Sequence, residues 1–220
     1  MNKKISIPII PVIIVIIAII IVIVLLMRVT KEDGSKLSKV YNKMIENQTY
    51  AFTRYNLEEK NKYIIYRKVD KTLIDMYNPG EHSTTLVLGG DTYLISHENE
   101  EYYIYPNNNA DEEILTDAIK EIIELEYSTG KEKIYGKNYK YEEYNGVSDF
   151  LITSVNNIDA DSVKTRFYFD GSELVYLKTI YNTVDEETGE KVQVEELQTV
   201  KVEYEVKDSV FEIPANYAEN

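Results

Sequence analysis

Three hydrophobic periods follow one another along the 220 residues. Ile5 to Met27 is a continuous apolar run with no charge in it. From Ser35 to Gln48 the apolar residues return at helical spacing, as Leu37, Val40, Tyr41, Met44 and Ile45, a single stripe that predicts one docked helix. Beyond Thr49 the period shortens to two. Thr49–Leu57, Lys62–Val69, Thr72–Tyr77, Thr84–Leu88, Thr92–Ser96 and Tyr102–Tyr105 are short β-branched or aromatic runs, separated by Asn78-Pro79-Gly80, Gly89-Gly90-Asp91 and His97-Glu98-Asn99-Glu100. Short turns between close strands predict antiparallel hairpins rather than βαβ units.

The chain then changes period again. Asp111-Glu112-Glu113 opens a second helix with the acidic start that the helix dipole favours, and Ile114, Leu115, Ala118, Ile119, Ile122, Ile123 and Leu125 give it a broad apolar face. Thr129-Gly130 is its expected end. Strands resume at Glu132–Tyr135, Asn138–Tyr144, Ser162–Phe169, Glu173–Asn182 and Lys191–Val206, with Asp170-Gly171-Ser172 as a tight hairpin and Asp185–Gly189 as a longer acidic one. Gly146–Asp161, with Phe150, Leu151 and Ile152, reads equally as a strand or a buried loop. Pro214 keeps the closing segment out of a central strand.

The expected fold class is therefore α+β. An N-terminal transmembrane helix precedes a long antiparallel sheet of about eleven strands, curled by its twist into a half-barrel, with two amphipathic helices on the concave face. The predicted partition is a stub at 1–4, a signal-anchor helix at 5–27, a linker at 28–34 and a β-rich domain at 35–220. As a helix the 23-residue apolar run would span roughly 34 Å, enough for a bilayer core of about 30 Å. It is too long for a signal-peptide core and lacks a small-x-small cleavage site. Flanking charge is ambiguous: Lys3 and Lys4 stand on one side, Arg28, Lys31, Lys36, Lys39 and Lys43 on the other. The short N-terminal stub argues for a single-pass plasma-membrane protein with its C-terminal domain outside, in a Gram-positive cell.

Charge and composition narrow the function. With Lys3, Lys4 and Arg28 set aside, 21 basic residues face 38 acidic ones, so the domain is near −17. Such a surface repels nucleic acid, and no nucleic-acid partner is expected. The absence of cysteine removes disulfides, thiolate chemistry and a lipobox. Twenty tyrosines, five phenylalanines and no tryptophan suit half-buried strands, and serve an aromatic-lined cleft only secondarily.

No reaction is written in the motifs. His82 and His97 each sit beside a turn, outside any HxxxH or HExxH spacing, and a zinc site would need added carboxylates. Ser96 and His97 are adjacent on a strand end and so diverge. The Asp111–Glu113 and Asp185–Glu187 clusters lack the alternating oxygens of a calcium loop. Glu58-Glu59, Glu100-Glu101 and Glu142-Glu143 read as solvated edges rather than glycosidase pairs. The expectation is a non-catalytic protein without cofactor or metal.

Three phrases carry a family resemblance: Lys133-Ile134-Tyr135-Gly136-Lys137-Asn138-Tyr139, Phe167-Tyr168-Phe169-Asp170-Gly171-Ser172-Glu173-Leu174, and Phe211-Glu212-Ile213-Pro214-Ala215-Asn216-Tyr217. With the element order, they make residues 35–217 resemble the LolA/LppX-type lipoprotein carriers. That resemblance implies a half-barrel whose hydrophobic hollow, lidded by helices, holds acyl chains or senses lipoproteins. This chain departs from it in having a membrane anchor, which implies sensing or tethering rather than shuttling. The expected function is a membrane-tethered binding or sensing module for an apolar ligand or lipoprotein. The alternative is a cell-envelope interaction domain that meets an envelope protein and uses the sheet only as scaffold. Taking one face per strand predicts Phe52, Ile65, Ile74, Val87, Leu94 and Phe167 as ligand-lining, or equally as the floor on which the helices pack.

Overall fold

The computed structural model describes residues 34–106, 114–146, 163–185 and 188–220. The first six strands are β1 (Thr49–Asn56), β2 (Lys62–Lys68), β3 (Lys71–Asn78), β4 (Glu81–Leu88), β5 (Asp91–Ser96) and β6 (Glu101–Tyr105). They pair in succession as an antiparallel meander. The second series is β7 (Tyr127–Ile134), β8 (Lys137–Asn145), β9 (Lys164–Asp170), β10 (Glu173–Val184) and β11 (Lys191–Glu203), also joined neighbour to neighbour. Helix α1 (Lys36–Asn47) precedes the first series and α2 (Ile114–Ile123) separates the two.

β1 joins the halves by pairing antiparallel with β11, Phe52 opposite Val202 and Arg54 opposite Val200. A two-residue strand, β12 (Ala218–Glu219), closes the far edge parallel to β6. The result is one open sheet in the order β12-β6-β5-β4-β3-β2-β1-β11-β10-β9-β8-β7.

Both faces of this sheet are covered in its β1–β4 region. On one face, Leu37, Val40 and Met44 of α1 and Leu115, Ile119 and Ile122 of α2 form a core with Phe52, Ile65, Ile74, Tyr144, Phe167 and Val200. On the other, Leu73, Leu86 and Ile95 pack under Phe211, with Val210, Ile213 and Tyr217 of the C-terminal segment beside them. Consecutive residues are consequently buried in pairs and triplets, Tyr50-Ala51-Phe52 on β1 and Leu73-Ile74 on β3.

That two-sided burial corrects the expected architecture. A strongly curved half-barrel keeps one concave face buried and one convex face wet. Among the described residues the sheet has twelve strands, lies open and is not strongly curled, because wrapping tightly around one layer would strip the other. The two helices do share one face of it.

The single-pass expectation is corrected too. Among the described residues no helix is long and apolar enough to cross a membrane. α1 and α2, at 12 and 10 residues, are about 18 and 15 Å long against a bilayer core of about 30 Å. The run at 5–27, on which the signal-anchor helix and the plasma-membrane location both rest, lies outside the described residues. So do Asp111–Glu113 and most of Gly146–Asp161.

A smaller correction concerns Thr129-Gly130. These residues do not end α2, which stops at Ile123, but lie within β7. Gly130 stands opposite Tyr141 of β8, whose ring lies where a β-carbon would be. The glycine is there for close approach of a ring, not for a helix cap.

The N-terminus of α1 is held from across the sheet. Glu142 of β8, 5% exposed, accepts the Lys36 N–H on Oε1 at 2.6 Å and the Leu37 N–H on Oε2 at 3.1 Å. The carboxylate satisfies two orphan donors and meets the positive end of the helix dipole. In the Asp170–Glu173 hairpin, Gly171 takes φ +63°, a left-handed conformation that glycine adopts without penalty.

Candidate functional site

His82 and His97 lie equally far from the Gly89-Gly90 turn, so the β4–β5 hairpin brings them face to face. The His97 N–H donates to the His82 carbonyl at 3.3 Å. Their rings stack with centroids 3.7 Å apart and planes 8° from parallel. Tyr77, paired with His82 across the preceding turn, stacks on the same imidazole at 4.0 Å and 16°.

One step along the same face stand Asp75 and Thr84, opposite each other and buried. Asp75 Oδ1 accepts from His82 Nε2 at 2.7 Å and from the Thr84 hydroxyl at 2.7 Å. The Tyr77 hydroxyl also bonds Asp75. With its proton given to Asp75, Thr84 Oγ1 accepts from His97 Nε2 at 2.7 Å. That assigns the His97 proton to Nε2 and leaves Nδ1 to accept from the Tyr217 hydroxyl at 2.8 Å. The C-terminal segment is thereby tied to β5.

Electrostatics follow from the crowding. Burial, and then the neighbouring His82, pull the His97 imidazole below its ordinary value, with Asp75 acting the other way. Burial and the bond to Asp75 push the Tyr77 hydroxyl up. Thr84 is buried and its proton is committed to Asp75. Ser96 lies on the opposite face, as alternation requires. Asp75, His82 and His97 are the one group among the described residues whose metal-ligating atoms lie within 4.8 Å of one another.

The helix-bearing face carries a second feature. α1 is flanked by a groove of about 450 Å³ toward β10 and β11, lined by Lys39, Val40, Lys43, Leu174, Val200, Lys201, Val202 and Tyr204 among others. Val40, Leu174 and Val200 are buried, whereas the three lysines are exposed. The Lys43 ammonium sits 3.9 Å over the Tyr204 ring, and Lys201 pairs with Glu203 at 2.8 Å. A second groove of about 440 Å³ lies by the N-terminus of α1, between Lys36, Gly130, Lys140, Tyr141 and Phe169.

All six residues predicted as lining share the helix-bearing face, by the pairings Phe52–Ile65, Ile65–Ile74, Thr72–Val87, Thr85–Leu94 and Tyr144–Thr165. Phe52, Ile65, Ile74 and Phe167 are packed into the core under the helices. Val87 is buried and Leu94 is 40% exposed. None of the six lines either groove.

Weighing each histidine alone misses the cluster, although the sequence does carry its signal. Counting outward from Gly89-Gly90 sets His82 against His97, and counting outward from Pro79-Gly80 sets Asp75 against Thr84. Tyr217 cannot be found this way, since it arrives from 120 residues further along the chain than His97.

No protein-family model and no curated protein matches this chain. Among solved structures it is similar to an uncharacterized conserved protein from Thermus thermophilus. The identity is 9% and the TM-score 0.43, over 84% of this chain and 99% of that one. At that level the likeness carries no argument about fold or function.

Proposed function

We propose that this protein is a non-catalytic binding module that takes an acyl chain bearing an anionic group, free or attached to a protein. The observation that carries this reading is the groove beside α1: a floor of Val40, Leu174, Val200 and Val202, with Lys39 and Lys43 of the helix and Glu173 of β10 exposed around it. Its volume of about 450 Å³ falls in the range of small-molecule sites. In a chain of net charge −14, two lysines on α1 beside an apolar floor, against one carboxylate, favour an anionic amphiphile over a neutral one. The acyl-binding expectation of the lipoprotein-carrier resemblance is retained; the membrane tether expected of this chain is not.

Titration with dodecanoate, followed by methyl NMR, tests the reading. Saturable shifts at Val40, Val200 and Val202 are expected, with dodecanol binding more weakly and Lys43→Glu weakening dodecanoate by about tenfold. Absence of shifts at these methyls up to about 1 mM dodecanoate, a weaker affinity than a specific site should show, would sink it.

One observation favours a second reading, a protein-interaction scaffold. Leu94, Tyr103 and Tyr105 stand together on β5 and β6, 40%, 39% and 46% exposed. A failed dodecanoate titration, combined with self-association abolished by Tyr103→Glu, would shift the weight there.

A further inference from the structure

We propose that Asp75, His82 and His97 bind one divalent transition-metal ion of the zinc, cobalt or nickel type. The site lies on the face opposite the groove, so it stands or falls independently of the function proposed above.

The donor set is the first argument. Two imidazole nitrogens and one carboxylate match the preference of borderline divalent ions, and calcium or magnesium would require more oxygen. Geometry is the second. The ligating atoms lie within 4.8 Å of one another, and the chain His82 Nε2–Asp75 Oδ1–Thr84 Oγ1–His97 Nε2 is linked by contacts of 2.7 Å. A tetrahedral ion with bonds of about 2.0–2.1 Å separates its ligands by about 3.4 Å, so the His82–Asp75 contact opens by about 0.7 Å as the ion replaces the shared proton, and His97 Nε2 exchanges Thr84 for the ion. The stacked rings must also turn, because parallel imidazoles 3.7 Å apart cannot both aim a lone pair at one point. Their side chains stand at the solvent end of β4 and β5, with His82 30% exposed, so this turn displaces little of the core.

Placement is the third argument. The ligands come from β3, β4 and the residue after β5, three strands already in register, so no loop has to close around the ion. Tyr217 supplies the outer contact. When Nε2 of His97 is taken by a metal, the remaining ring proton moves to Nδ1, which then donates to the Tyr217 oxygen 2.8 Å away. Thr84 keeps its bond to Asp75 and steadies the carboxylate.

That proton shift supplies the test, carried out first on the unsubstituted full chain. In metal-free protein the His97 imidazole is the Nε2–H tautomer, readable from its ¹⁵N shifts. One equivalent of Zn²⁺ is expected to move the His82 and His97 ring resonances together and convert His97 to the Nδ1–H tautomer. Co²⁺ should give visible absorption that Zn²⁺ displaces. Tyr217→Phe should weaken Zn²⁺ by about tenfold and Asp75→Asn by more. If both histidine rings stay unmoved by Zn²⁺, Co²⁺ and Ni²⁺, the cluster is a hydrogen-bond network only and the proposal is overturned. It is overturned equally if metal binds but leaves the His97 tautomer unchanged, since His97 Nε2 is then not a ligand.

Discussion

The Tyr181 hydroxyl donates a 2.7 Å hydrogen bond to Oε1 of Glu196 on the neighbouring strand. Tyr181 is 2% exposed, and the other carboxylate oxygen of Glu196 is buried with no hydrogen-bond partner among the described residues. Burial raises the proton affinity of Glu196 ahead of every other cause, and Glu59 and Glu58 add to it. Together they outweigh the bond from Tyr181 and the charge of Arg54.

A carboxyl held above its ordinary value stabilises the fold fully below its unfolded value, near 4.5, and loses that stability as pH rises through the folded value. Glu196→Gln removes the loss. Its urea midpoint is expected to exceed that of the parent near neutral pH and to converge with it at about pH 4. A variant less stable than the parent at neutral pH would contradict this.

Glu132 behaves in the opposite sense. Burial raises its proton affinity, but bonds from Lys178 at 2.5 Å, Tyr168 at 2.5 Å and Arg166 at 2.9 Å outweigh this and hold the carboxyl below its ordinary value. The stability it supplies is present above its unfolded value and fades as pH falls through the folded one. Lys178 is 7% exposed, so Glu132→Ala leaves a buried ammonium with Glu195 as its remaining carboxylate. A loss of about 3 kcal/mol near neutral pH, shrinking in acid, is expected from chemical denaturation.

Glu142 gives a prediction about helix docking. Glu142→Ala removes the acceptor for the Lys36 and Leu37 N–H groups and a partner of the Tyr144 hydroxyl at 3.1 Å. The cost should be about 1–2 kcal/mol, with hydrogen exchange rising first in α1. Equal protection of α1 in variant and parent would show that the cap contributes little.

At Gly130 any side chain meets the Tyr141 ring. That ring also packs 5.4 Å from Tyr168 and lies beneath the Arg166 guanidinium at 4.7 Å. Gly130→Ala should therefore cost about 1–3 kcal/mol. Most of it should disappear in a Tyr141→Ala background, a coupling that a double-mutant cycle measures directly.

Phe167 tests whether the predicted lining residues are core. It is 2% exposed beneath the helices, so Phe167→Ala should cost about 3–5 kcal/mol. Dodecanoate affinity, measured where the variant remains folded, should change less than twofold. A small stability loss with a large affinity loss would return Phe167 to a ligand site.

Local chemistry makes much of this structure legible. The stripe at Leu37, Val40 and Met44 makes α1, and the turns at Pro79-Gly80, Gly89-Gly90 and Asp170–Glu173 set their hairpins in register. A strand that returns through a two-residue turn finds its partner at little entropic cost, so sequence near the turn is sufficient. The partnership of β1 with β11 is not legible, because more than a hundred residues separate strands that could each pair elsewhere. Nor is the openness of the sheet. It depends on the C-terminal segment covering the face opposite the helices, a fact about packing that alternation within one strand does not contain. The candidate sites divide the same way. The His82–His97 facing is countable from a turn, whereas Asp75 becomes their carboxylate through two successive hairpins and Tyr217 reaches them only when the chain's end folds back. Hairpin register is decided by neighbours in sequence; the meeting of distant side chains is decided by which surfaces the folded chain must bury together.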